Sequence, residues 1–176
     1  MKYGHKGPKV MESFPLNLRR TIIWIGRLVL GGIFIYAGYA KIFLPIMHPR
    51  PPISVALAFF ALQVGSYQLL PPWGVNFVAH TLPFAEIALG LLLIIGWRLR
   101  IWAVLSTLLI LGFFAAVVRS YAAGMQINCG CFATPEPLTI ATVIRDGALA
   151  ALAMVMTVLA FIETRKPHPW SAPQSM

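Results

Sequence analysis

Four apolar runs, each long enough to cross a lipid bilayer, constrain this chain more than any other feature of its sequence. The runs are residues 22–44, 75–96, 101–123 and 138–162. A helix needs about 20 mainly apolar residues to cross a hydrocarbon core of roughly 30 Å. We therefore predict an all-α integral membrane protein, in which residues 21–163 form a bundle of four transmembrane helices.

The composition argues against other classes of protein. Apolar residues make up 59% of the 176 residues and charged residues 11%, and the mean hydropathy is +0.77. These values differ strongly from those of soluble domains and of disordered chains. The net charge of +9 would suggest a nucleic-acid partner, but most Lys and Arg residues lie at the ends of apolar runs, where they orient a membrane protein. We expect the lipid bilayer as a partner and no nucleic acid.

A fifth apolar stretch, residues 53–70, lies between two pairs of prolines and contains several polar residues. Proline does not continue a helix, so this segment is isolated from its neighbours. We predict an outer helix that lies in the membrane interface or re-enters the membrane. If it crossed completely, the basic start and the basic tail of the chain would face opposite sides.

The basic residues predict the orientation of the bundle. They concentrate in residues 1–20, in the turn that carries Arg98 and Arg100, and in the tail at residues 164–176. The connections at residues 45–74 and 124–137 contain one Arg and none, respectively. Because cytoplasmic loops are rich in Lys and Arg, we predict a multi-pass membrane protein with these three segments on the cytoplasmic side. Its basic N-terminal extension, residues 1–20, and its tail, residues 164–176, should both be cytoplasmic.

Both cysteines of the chain, Cys129 and Cys131, lie in one of the two predicted outward connections. Outside the cytoplasm, cysteines can persist as a disulfide. A single intervening residue, Gly130, would strain such a bridge, and strained exposed disulfides are easily reduced. The pair is a candidate for reversible thiol–disulfide exchange. The alternatives are two unlinked cysteines that only pack, and a metal site that would also need His48 and His80; we predict no metal.

Several charged residues lie within or close to the predicted spans. They are Arg27, Lys41, Glu86, Arg119, Arg145 and Asp146. An ionised side chain at the centre of the bilayer costs about 2.5–3.5 kcal/mol. Glu86 falls nearest the centre, so we predict that it is buried and paired with a cation, either Arg145 or Arg119. These charges either lock the helices together or line a polar pocket that binds a quinone headgroup or relays protons.

An ordered set of short motifs covers most of the chain. The motifs are residues 27–42 in the first span, 67–71 before the second, 82–90 within the second, 129–132 (Cys-Gly-Cys-Phe) in the cysteine loop, and 145–146 (Arg-Asp) in the fourth. In this set the chain resembles the DoxX-like membrane proteins, and within them the methylamine-utilisation MauE branch.

The resemblance implies a function for the two cysteines. It implies a membrane thiol–disulfide redox protein that exchanges electrons between an extracytoplasmic thioredoxin-like partner and the membrane quinone pool, with Cys129 and Cys131 as the reacting residues. Such a protein would be a thiol–disulfide/quinone oxidoreductase of the bacterial inner membrane, with quinone as a ligand and no covalently bound cofactor. The alternative is a non-catalytic accessory subunit of a larger membrane electron-transfer complex. At the level of the sequence, both hypotheses stand.

Overall fold

Most of the described part of the chain is helical, and the rest of it forms the connections between helices. A computed structural model describes residues 16–43, 51–130 and 136–163. In chain order, the helices within these ranges are α1 (Leu16–Phe43), α2 (Ile53–Ser66), α3 (Pro72–Ile95), α4 (Leu99–Ala122) and α5 (Ile140–Glu163). The predicted all-α fold is confirmed for this part of the chain.

Four of these helices are long and apolar enough to span a membrane, by length and composition. The spans are Thr21–Phe43, Pro72–Ile95, Leu99–Ala122 and Ile140–Ile162. Each begins and ends within three residues of its predicted bounds. The shorter helix α2 ends at Ser66, earlier than the predicted residue 70, because the backbone turns at Gln68, where φ is +53°.

Helix α1 packs most closely against α3, because glycines let the two backbones touch. A Cβ atom built on Gly90 would lie 2.6 Å from the carbonyl oxygen of Gly31, and one built on Gly38 would lie 2.4 Å from that of Pro83. Any larger residue at these positions would push the helices apart. This close packing determines which side chains of α1 and α3 face each other along the two helices.

Helices α4 and α5 form the second closely packed pair. Thr107 of α4 donates a hydrogen bond to the carbonyl oxygen of Ala153 at 3.0 Å, and its hydroxyl lies 2.8 Å from that of Thr157. Polar contacts of this kind hold transmembrane helices together where apolar burial alone gives little preference over lipid. An apolar cluster that includes Leu30, Leu93 and Met156 joins this pair to α1 and α3.

We call the end of the bundle that carries the α3–α4 turn the turn end, and the end that carries the α4–α5 loop the loop end. At the turn end, Arg27 donates hydrogen bonds to the carbonyl oxygens of Leu93 (2.9 Å) and Ile94 (2.7 Å). These are carbonyls of the last turn of α3, which lack partners within the helix. Arg27 therefore does not join the predicted polar pocket, since it lies fourteen residues, or about 21 Å of helix, from Lys41.

Candidate functional site

The loop between α4 and α5 is closed by backbone pairing that holds Cys129 in place. Asn128 and Pro137 form an isolated antiparallel bridge. The amide of Cys129 donates to the carbonyl of Glu136 at 2.9 Å, and the amide of Leu138 donates to that of Ile127 at 2.9 Å. This pairing brings Cys129 over the first turns of α5.

The sulfur of Cys129 lies between two side chains of opposite charge. Its Sγ is 3.7 Å from Oδ2 of Asp146 and 3.8 Å from Nη2 of Arg145. The residue is only 5% exposed. From the other side, the hydroxyl of Tyr67 donates to the Cys129 carbonyl at 2.7 Å, which ties the loop to the end of α2. The arrangement combines a cation and a hydrogen-bond acceptor at one thiol group.

Arg145 connects the loop to α5. Its Nε lies 3.1 Å from Oδ1 of Asp146, and its Nη1 lies 2.5 Å from Oε2 of Glu136. The prediction that Arg145 pairs with Glu86 is therefore wrong. Arg145 lies in the second turn of α5, within reach of Glu136, a loop carboxylate that was not among the predicted partners. Glu136 could have been recognised as the loop's own acidic residue.

The charge nearest the predicted centre of the membrane is buried and paired. Both oxygens of the Glu86 carboxylate accept hydrogen bonds from Nζ of Lys41, at 2.9 and 2.8 Å. The two side chains are 1% and 5% exposed. Burial and pairing of Glu86 are as predicted, but the cation is Lys41 and neither Arg145 nor Arg119. The close packing of α1 on α3 places Lys41 opposite Glu86.

Arg119 takes no part in this arrangement. It lies in the last turn of α4 and is exposed, and it lines neither of the two cavities described next. Its predicted pairing with Glu86 is wrong because the residue faces away from the centre of the bundle.

A cavity of about 80 Å³ lies at the centre of the bundle. Three charged residues border it, namely Lys41, Glu86 and Asp146. Leucine, isoleucine, alanine and phenylalanine side chains form the rest of its wall. Three of the six charged residues thus border one largely apolar cavity, and the predicted polar pocket stays a prediction. Asp146 belongs both to this cavity and to the surroundings of Cys129.

A larger cleft, of about 340 Å³, lies between α2, α3 and α4. It is mostly apolar, with Cys129 and Gly130 in its wall beside Gln63 and Tyr67 of the α2 region. Phe113 lines both the cleft and the central cavity and so lies between them. The sequence analysis missed this cleft, because the face that α2 presents to the bundle is not visible in its composition.

The second cysteine of the predicted pair, Cys131, lies outside the described residues. The described part of the site is thus Cys129 with its charged neighbours. The predicted disulfide between Cys129 and Cys131 stays a prediction.

Comparison with known proteins supplies the family. No curated protein and no solved structure matches the chain. A family model described as "Methylamine utilisation protein MauE" matches residues 19–159. That match contains nearly all of the four spans, the buried Lys41–Glu86 pair and the loop around Cys129. The chain therefore belongs to the MauE family of membrane proteins.

Proposed function

We propose that this chain is a membrane thiol–disulfide redox protein, which exchanges electrons between an extracytoplasmic thioredoxin-like protein and the membrane quinone pool through Cys129 and Cys131. One observation carries the proposal. The sulfur of Cys129 lies between the guanidinium of Arg145 and the carboxylate of Asp146, and Cys129 also forms part of the wall of an apolar cleft.

The reaction has two halves. In the first, a dithiol of the partner reduces the Cys129–Cys131 disulfide by thiol–disulfide exchange and becomes a disulfide itself. In the second, the two thiols of this chain form their disulfide again, release two protons and pass two electrons to a quinone, which takes up two protons from water and becomes a quinol. A guanidinium close to the sulfur favours the thiolate, the form that reacts.

From the burial of Cys129 we infer different roles for the two cysteines. A side chain that is 5% exposed cannot be reached by the thiolate of a protein partner in this conformation. We therefore assign Cys131 to the exchange with the partner and Cys129 to the transfer of electrons into the cleft.

The cleft suits a lipophilic acceptor. Its volume of about 340 Å³ falls within the range of roughly 300–1,000 Å³ that small-molecule sites occupy. The rings of Phe60, Tyr67 and Phe113 supply aromatic surface, and the amide of Gln63 supplies a polar group for a quinone oxygen. These features support quinone as the class of ligand.

The proposal places the protein in the bacterial cytoplasmic membrane, with the N-terminus and the C-terminus in the cytoplasm. The orientation rests on the basic residues at both ends of the chain and in the α3–α4 turn. The loop with Cys129 is then on the outer side, where a thioredoxin-like partner and a disulfide can meet.

Thiol trapping in membranes tests this function. The wild-type chain should shift from an oxidised to a reduced form after mild reductant and return when a quinone analogue is added. With the oxidised partner, Cys129→Ser should form a mixed disulfide, because the Cys131 thiolate attacks the partner's disulfide and releases one partner thiol, whereas Cys131→Ser should not. The double variant is the control for labelling at other sites.

A different result would support the alternative. If both thiols are already reduced in untreated membranes, and if both substitutions leave the assembly of the protein with its neighbours unchanged, the redox proposal fails. The chain would then be an accessory subunit of a larger membrane electron-transfer complex.

A further inference from the structure

We propose that Asp146 accepts the proton of the Cys129 thiol and passes it into the central cavity that Lys41 and Glu86 border. This inference rests on the proposed thiol–disulfide function and deepens it, because it names the proton acceptor of the site and the route by which the proton leaves. It makes Asp146 a catalytic residue, since its carboxylate contacts the reacting sulfur.

The first step is the contact between the thiol and the carboxylate. Oδ2 of Asp146 lies 3.7 Å from Sγ of Cys129, within the distance of a hydrogen bond that involves sulfur. Asp146 is 8% exposed and Cys129 is 5% exposed, so bulk water has little access to either. A proton that leaves Cys129 needs an acceptor inside the protein, and the Asp146 carboxylate contacts the sulfur.

The second step is the orientation of Asp146. Its other oxygen, Oδ1, lies 3.1 Å from Nε of Arg145. Arg145 is in turn held by Glu136 of the loop. One oxygen is therefore fixed by a cation, while the other faces the thiol, which is the geometry that a general base needs.

The third step is the exit. The cavity beside Asp146 has a volume of about 80 Å³, whereas one water molecule needs roughly 10–15 Å³ by the same measure. The charged groups that face Asp146 across it are Lys41 of α1 and Glu86 of α3. The side chains that α4 contributes are Ile110, Phe113 and Phe114. Most of the cavity wall is apolar, so water inside it depends on these three charged groups for its polar partners.

Protons and electrons balance with the two thiols, the quinone and water as the reactants. The S–H bond of Cys129 breaks, its proton moves to Oδ2 of Asp146, and a thiolate remains. The S–H bond of Cys131 breaks as well and its proton passes to water. The two sulfurs then form their bond, and two electrons pass to the quinone of the proposed function. The quinone takes up two protons from water and becomes a quinol, so the number of protons is conserved.

The pH dependence of re-oxidation tests the role of Asp146. The full-length protein in quinone-containing vesicles is reduced, and the return of the disulfide is followed by thiol trapping. The wild-type rate should change little between about pH 6 and pH 8. At about pH 6, the disulfide of Asp146→Asn should return about 100-fold more slowly than that of the wild type. Its rate should then rise about tenfold for each pH unit, because hydroxide must replace the carboxylate as the base.

Two variants distinguish a base at Asp146 from a purely structural role. Asp146→Glu retains a carboxylate and should restore a rate that is nearly independent of pH. If Asp146→Asn lowers the rate by the same factor at every pH, or leaves it unchanged, Asp146 supports the structure only and the inference is wrong. Rates are normalised to the folded fraction, measured by gel filtration in detergent.

A second variant tests the exit through the cavity. Leu149→Phe adds volume to a residue of the cavity wall and changes neither Cys129 nor Asp146. Its rate should fall by about tenfold at low pH and recover as the pH rises. Leu152→Phe, three residues further along α5 and packed against the apolar cluster, is the matched control and should retain the wild-type profile. Identical profiles for the two variants would exclude the cavity as the exit.

The inference and the function on which it rests fail in different ways. If the wild-type disulfide does not respond to reductant and quinone, the proposed function fails. If the wild type responds and Asp146→Asn keeps the wild-type pH profile, only the role of Asp146 is lost.

Discussion

The two ends of the bundle use charged side chains differently. At the turn end, Arg27 donates to the carbonyls of Leu93 and Ile94 and lies 4.5 Å from the centre of the Trp24 ring. At the loop end, Arg145 contacts other charged side chains and the sulfur of a cysteine. A cation bound to the end of a helix has a fixed role, whereas ionised groups around a sulfur can exchange a proton. The turn end holds the helices, and the loop end carries the chemistry that we propose.

The largest expected effect concerns the Lys41–Glu86 pair beneath the loop end. Lys41→Met leaves a carboxylate buried without its cation, which should lower the free energy of unfolding by about 3–5 kcal/mol. Denaturant unfolding of the purified protein in detergent micelles measures the change.

The double variant Lys41→Met with Glu86→Leu is the control for this prediction. Replacing both members of a buried ion pair by apolar residues is often neutral, so the double variant should be more stable than Lys41→Met alone. If the double variant is less stable than the wild type by the sum of the two single losses, the pair does not act as a unit, and the comparison between the two ends would need revision.

A smaller effect is expected at the turn end, where Gly96 follows α3. Gly96 has a φ of +76°, and a Cβ atom there would lie 1.9 Å from Nη2 of Arg27. Gly96→Ala should therefore cost about 1–3 kcal/mol of stability and leave the reactivity of Cys129 unchanged. Thermal unfolding and thiol trapping of the same sample measure both.

Gly32→Ala is the matched control for Gly96→Ala. It lies within α1, where a Cβ atom meets nothing within 4 Å. Alanine should be neutral there or stabilise the helix by about 0.5–1 kcal/mol. A loss of thiol reactivity in Gly96→Ala without unfolding would show that the two ends are coupled.

The smallest effect is expected between α4 and α5. Thr107→Val keeps the shape of the side chain and removes its hydrogen bonds to Ala153 and Thr157. We expect a loss of about 0.6–1.7 kcal/mol in detergent. Thr81→Val is a control, because Thr81 is exposed and its hydroxyl bonds only within α3, to the carbonyl of Phe77. A larger loss for Thr81→Val would contradict the role of Thr107.

Hydropathy was sufficient to predict the helices of this fold, since a span needs only length and apolar composition. It was also sufficient to predict that Glu86 is buried and paired. The identity of its partner was not predictable from depth along each helix, because depth does not show which helices are neighbours. Lys41 meets Glu86 because α1 and α3 touch at Gly31 and Gly90, a contact between residues far apart in the sequence.

The surroundings of Cys129 were predicted less well. Arg145 and Asp146 were identified as charged residues of the fourth span, but their contact with the sulfur depends on the path of the loop. Tyr67 and Gln63 lie more than sixty residues before the cysteine, and no local pattern links them to it. Long-range contacts of this kind come from packing and not from periodicity.

Because Gly130 packs against α2, the cysteine loop would not keep its conformation if it were transferred alone to another protein. Gly130 has a φ of +71°, and a Cβ atom there would come within 2.9 Å of the Gln63 side chain. The neighbouring Cys129 carbonyl is held by Tyr67. The loop therefore takes part of its shape from a helix that precedes it by two spans. A graft of residues 127–138 onto another scaffold would carry the cysteines without the contacts to Gln63 and Tyr67. The loop and α2 would therefore have to be transferred together.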